Sequence, residues 1–112
     1  MKRIHIALAT QDIEASIEDY SVRLGANPNV VIAGEYALWR TQWINLSLRQ
    51  DNNAPPGVLR HLGWEDTETS EFSSDTDCNG VVWERFTAKQ QAEEIEALWP
   101  GSGYMLEDDD SR

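Results

Sequence analysis

The sequence predicts a single small α+β domain built on a curved, mainly antiparallel sheet. Three observations carry that expectation. Residues 3–9, 44–49 and 58–64 alternate side-chain character with period two, as half-buried strands do. Residues 12–25 and 87–99 instead carry their apolar residues at helical spacing, with capping signals at both ends. The chain has 112 residues and is 40% hydrophobic, enough for one core and too little for two.

In RIHIALA, residues 3–9, Ile4, Ile6 and Leu8 point one way while His5, Ala7 and Ala9 point the other, which makes the first strand. A helix follows. Asp12 is its N-cap, Ile13, Ile17, Tyr20 and Leu24 form one face, and Gly25 sits where a left-handed C-terminal residue belongs. Val30, Val31 and Ile32 form a β-branched run that ends at the turn Ala33-Gly34. Tyr36, Leu38 and Arg40 then alternate with Glu35, Ala37 and Trp39. In the next strand Ile44, Leu46 and Leu48 oppose Trp43, Asn45, Ser47 and Arg49. Short connections between these three strands predict antiparallel neighbours, and the first half reads β-α-β-β-β.

Residues 51–57, DNNAPPG, are a linker by composition. Beyond it Leu59, His61 and Gly63 oppose Val58, Arg60, Leu62 and Trp64. The polar stretch 65–80 holds turn formers, with room for one helical turn around Glu68 to Phe72. A last strand puts Val82, Glu84 and Phe86 on one face. Thr87 and Gln90 make a capping box that starts a helix bearing Ala92, Ile95 and Trp99, which Pro100-Gly101 stops. Residues 1–104 form the expected domain and 105–112, containing Glu107 and Asp108 to Asp110, an acidic disordered tail.

The net charge of −11 argues against a nucleic-acid partner, whose phosphates such a surface repels. No apolar run approaches the roughly 18 residues of a membrane span, and the opening residues lack the apolar core of a signal peptide. A cytoplasmic protein is expected. Cys78 is the single cysteine, so no intrachain disulfide forms, and it stands in a polar turn with no second soft donor beside it.

Three strand residues have the chemistry of a site: His5, His61 and Glu84. Two imidazoles and a carboxylate are the donor set of a facial triad, which suits Fe(II) and also accepts Zn, Ni, Co or Mn. The small alanines beside His5 on its face leave room for a ligand. Each residue is equally at home as an ordinary packed or solvent-facing strand residue, so the residue types alone leave both readings open. Trp43, Asn45 and Arg49 share one face and are the candidates for substrate contact, with Trp43 a pocket or interface aromatic. Arg49 and Arg60 suit either an anionic substrate or surface carboxylates.

The segment IHIALATQDIEASIEDYSVRLG, residues 4–25, resembles the opening of the glyoxalase/bleomycin-resistance/dioxygenase (vicinal oxygen chelate) superfamily, where a strand histidine precedes D-[IL]-x-x-[AS]-[ILV]-x-x-Y. EYALW, INLSL and RHLGWE are similar to its next segments, particularly in sequences of the cadmium-inducible and organoarsenical-lyase type. DTDCNGVVWERF resembles its final D-P-x-G-N-x-x-E-[LVI]-F turn and strand more loosely. The resemblance implies a βαβββ module with helices on the outer face of the sheet. It puts His5, His61 and Glu84 on metal-ligand positions, with Glu84 also catalytic, and implies a metal-dependent lyase or dioxygenase acting on a small oxygen-bearing molecule. The alternative it implies is a metal-free binder of resistance type, and a third use is dimerisation or regulation alone.

The chain departs from the family pattern after Glu65. A helix of about 11 residues and two strands of about 5 do not fit in residues 66–80. Either the second module is truncated there, or residues 81–99 begin it. Neither Ser47 nor Arg49 supplies the fourth-strand ligand of some members, leaving three protein ligands at most. An incomplete sheet has open edges, so a homodimer that completes the cup is expected.

Overall fold

A computed structural model describes residues 1–104; the acidic segment 105–112 lies outside the described residues. The elements run β1 (Lys2–Thr10), α1 (Ile13–Leu24), β2 (Val30–Ile32), β3 (Tyr36–Arg40), β4 (Ile44–Gln50), β5 (Leu59–Asp66), β6 (Ser73–Thr76), β7 (Val82–Phe86) and α2 (Ala88–Leu98). The strands form one mixed seven-stranded sheet in the order β2-β3-β4-β1-β5-β7-β6, with β2 and β6 at its edges.

The caps behave as their side chains dictate. The Asp12 side chain accepts from the Ala15 amide, and Gly25 ends α1 at φ 66°, where a side chain would be strained. Thr87 and Gln90 form a reciprocal capping box at the start of α2. The expected hairpin pairs β2-β3 and β3-β4 are antiparallel.

The two sides of the sheet's centre have the same connectivity. β1 lies parallel to β4, which pairs antiparallel with β3. Across the antiparallel β1-β5 junction, β5 lies parallel to β7, which pairs antiparallel with β6. β5, β7 and β6 thus repeat the arrangement of β1, β4 and β3, without a helix between β5 and β6. β7 is the second partner of β5, and α2 follows it.

Two expectations are corrected. The stretch after Asp66 holds turns, as expected, and no helical turn forms in the space at Glu68 to Phe72, but it also contains a strand, Ser73–Thr76, that was not expected. Its pattern is fully exposed because it is an edge strand. The helices also do not share the outer face. α1 packs Ile13, Ile17, Tyr20 and Leu24 against Ala37, Trp39, Leu46 and Leu48. α2 packs on the opposite face, where Ile95 joins Val30, Tyr36 and Leu38. The period of a strand separates its two faces without saying which helix covers which, and α2 covers the face that bears His5.

A buried ion cluster ties the centre together. Glu65, 3% exposed, accepts from Arg3 Nη1 at 2.6 Å and from Arg40 Nε at 2.7 Å. Burial alone would raise its pKa, but hydrogen bonds from Arg40 and Asn45 and the charges of Arg40 and Arg3 hold it below the ordinary value. No helix among the described residues is long and apolar enough to cross a membrane.

Candidate metal centre

His5, His61 and Glu84 come from three neighbouring strands. His5 on β1 stands two residues along the strand from Ala7, the register partner of His61 on β5. Glu84 on β7 sits opposite Gly63, two residues along β5 from His61. Gly63 is required there: a Cβ at that position would collide with the Glu84 carbonyl oxygen. The close β5-β7 approach that brings Glu84 beside His61 therefore depends on the missing side chain.

His5 is buried, and its ring meets the Phe86 ring edge-on with centroids 4.9 Å apart. Its Nδ1 lies 3.1 Å from the Asn45 carbonyl oxygen and 2.9 Å from Asn45 Oδ1. The Asn45 amide is itself fixed, because its Nδ2 donates to Glu65 Oε1 at 2.8 Å and to Gln91 Oε1 at 2.7 Å. Gln91 Nε2 donates back to Asn45 Oδ1 at 3.1 Å. A carboxylate only accepts, so the amide nitrogen must face Glu65 and the amide oxygen must face His5. Nδ1 of His5 then meets two acceptors and carries the proton, and its Nε2 offers a lone pair to the cleft. This is the outer-shell arrangement by which a ligating imidazole is normally oriented.

His5 Nε2 faces His61 Nε2 at 2.9 Å, and His61 Nε2 is 3.2 Å from Glu84 Oε1. All three donor groups lie within 4.8 Å of one another. Bonds of about 2.0–2.1 Å to one ion put adjacent donors roughly 2.8–3.4 Å apart, from the octahedral to the tetrahedral angle, so two of the three edges already have the right length. Burial lowers the pKa of His5 against the opposing Asn45 bonds. Burial, then His5 and Arg60, push His61 down to about 4. Burial and the Glu94 charge push Glu84 up. At neutral pH both imidazoles are therefore uncharged and able to ligate, and the His61–Glu84 contact is no ion pair. The donor set, its fixed tautomer and its spacing fit a divalent first-row ion.

The triad opens into a cleft of about 470 Å³, counting its mouth, between the sheet and α2. Tyr36, Ser47, Arg49 and Arg60 line it from the sheet, and Glu94, Ile95 and Trp99 from α2 and its end. All of these lining residues come from one chain.

The other sequence candidates fall in different places. Asn45 is fully buried and holds His5 in place without lining the cleft. Arg49 does line it. Trp43 stands in the connection before β4, is 73% exposed, and is not among the cleft residues. Cys78 is exposed in the turn before β7 and is not among the cleft residues. Arg60, expected to point away from His61, lines the cleft with it because the β1-β5 register slips between Ala7 and Leu8. The bulge places an extra residue, Arg60, between the paired His61 and Leu59 and re-aims its side chain. Gln91 was not foreseen; its only sequence signal is its place in the first turn of a capped helix.

No family model matches the chain, and no curated protein matches it by sequence.

Proposed function

We propose that this chain is a metal-dependent enzyme with a glyoxalase-like module, a lyase or dioxygenase acting on a small oxygen-bearing molecule. The observation that carries the reading is the convergence of His5 Nε2, His61 Nε2 and Glu84 at a cleft, with the His5 tautomer held by Asn45. The β-α-β-β-β order of residues 2–50, and the repeated pairing of β5, β7 and β6, support the module.

His5, His61 and Glu84 would hold the ion. A bound divalent ion supplies Lewis-acid polarisation of substrate oxygens and neutralises charge that develops on them. The protein's own part is to hold both imidazoles neutral and to exclude bulk water with α2. Glu84, the carboxylate of the triad, would be the group to accept a substrate proton, at the oxygen it does not give to the ion.

The test is metal content of the purified, untagged protein by elemental analysis, beside His5→Ala and His61→Ala. Near-stoichiometric metal in the wild type, lost in both variants, supports the reading. No metal, even after reconstitution with Fe(II), Zn, Ni, Co and Mn, removes it and leaves the small-molecule binder as the account of the cleft.

A further inference from the structure

The described residues include six arginines, Arg3, Arg23, Arg40, Arg49, Arg60 and Arg85. Four of them are paired with carboxylates: Arg3 and Arg40 with Glu65, Arg23 with Asp19, and Arg85 with Asp66. The two without a carboxylate within 4.0 Å among the described residues, Arg49 and Arg60, both line the metal cleft. In a chain with 20 acidic residues and a net charge of −11, none of the described carboxylates pairs with either arginine within 4.0 Å, although Glu84 and Glu94 share the cleft with them.

Arg49 and Arg60 bring two positive charges to one cleft. Both line the same wall of the cleft, with Tyr36 and Ser47 on the sheet, and Glu94 lines it from α2. Arg49 is held in place by Trp99, its Cζ lying 5.5 Å from the ring centroid. Arg60 owes its direction to the bulge that sets it beside His61. Two like charges in one cleft favour an anionic ligand between them, and the planar fork of a guanidinium matches the oxygens of a carboxylate or phosphoryl group.

We propose that Arg49 and Arg60 form an anion subsite that holds the carboxylate or phosphoryl group of the cleft's substrate. Because Arg60 adjoins His61 in sequence, the anionic group sits close to the oxygens that face the triad. The substrate class is therefore a small oxygen-rich anion, such as a 2-oxo acid or a compact phosphorylated or phosphonate compound. The inference rests on the catalytic reading of the cleft for the word substrate, while the subsite itself is defined by the arginines alone.

The test is a titration of the ¹⁵N-labelled full chain with sodium pyruvate and, separately, with sodium phosphate, against sodium chloride at matched ionic strength. It is run with and without a chelator. The variants are Arg49→Gln, Arg60→Gln, their double variant, Arg60→Lys, and Arg23→Gln as the distant control. Saturable shifts at the Arg49 and Arg60 side-chain signals are expected with at least one of the two anions. Charge-assisted bonds of this kind make the double variant weaker by about tenfold or more, with Arg60→Lys intermediate and Arg23→Gln unchanged. Circular dichroism checks that each variant is folded; if Arg49→Gln unfolds by losing its Trp99 contact, Arg60→Gln decides. Which anion saturates at lower concentration distinguishes a carboxylate from a phosphoryl ligand. Shifts no different from chloride, or binding unaffected by Arg60→Gln, would overturn the subsite. Saturation that persists in chelator keeps the subsite even where the metal reading fails.

Discussion

Replacing Asn45 by alanine probes the link between the buried polar network and the candidate metal centre. Asn45 is fully buried and makes four side-chain hydrogen bonds, to His5, to Glu65 and twice to Gln91. His5 would keep the main-chain carbonyl of residue 45, and Glu65 would keep Arg3 and Arg40. Gln91 would lose both of its bonds to Asn45 while remaining buried. With about 1 kcal/mol for each neutral bond and somewhat more for the bond to the Glu65 carboxylate, the loss comes to about 4 kcal/mol. At a urea slope of about 2 kcal/mol per molar, the unfolding midpoint falls by about 2 M. Metal affinity should fall about 10- to 100-fold, the usual effect of removing an outer-shell partner of a ligating histidine. Urea unfolding by circular dichroism reads the first number and calorimetric titration with Zn(II) the second. Nitrogen NMR of the wild type should show His5 protonated at Nδ1. A midpoint within about 0.5 M of wild type, or His5 protonated at Nε2, would refute the tether.

Gly63→Ala should destabilise by about 2 kcal/mol or more, because the new methyl collides with backbone that has no other place in the β5-β7 ladder; thermal unfolding measures it, and metal binding should weaken alongside as Glu84 shifts. Metal-free protein should lose stability as pH falls from about 6.5 to 4. Over that window the unfolded chain takes up a proton at His61 while the native state, with His61 at about 4, does not. The full shift corresponds to about 3 kcal/mol; buried His5 adds in the same direction, Glu84 with its raised pKa opposes it, and urea midpoints of wild type and His61→Gln at pH 7 and 4.5 separate the contributions. Thr87→Ala should cost about 1 kcal/mol in a thermal melt by removing one half of the α2 capping box.

Much of the site was legible because it depends on side-chain type and strand period. His5, Asn45 and Ser47 could be placed on the face opposite Ile4, Ile6 and Leu46 from alternation alone, and His61 and Glu84 followed by chemistry. The tether between them was not, since it depends on register: Asn45 meets His5 only because β4 runs parallel to β1 with that pairing. Alternation also fails at an inserted residue, which is why period two alone turns Arg60 away from His61 while the slip between Ala7 and Leu8 brings it to the cleft. β6 escaped notice because Ser73–Thr76 has no buried face to give it a pattern. The amphipathic spacing of α2 identified Ile95 as inward-facing but held no information on which side of the sheet inward lay.

The most direct test of the central claim is the anomalous-scattering map of a crystal of the wild-type protein soaked with Co(II) or Zn(II). The account predicts one strong peak at bonding distance, about 2.0–2.2 Å, from His5 Nε2, His61 Nε2 and a Glu84 oxygen. A map with no peak there, or with the metal bound only at surface carboxylates, would contradict it.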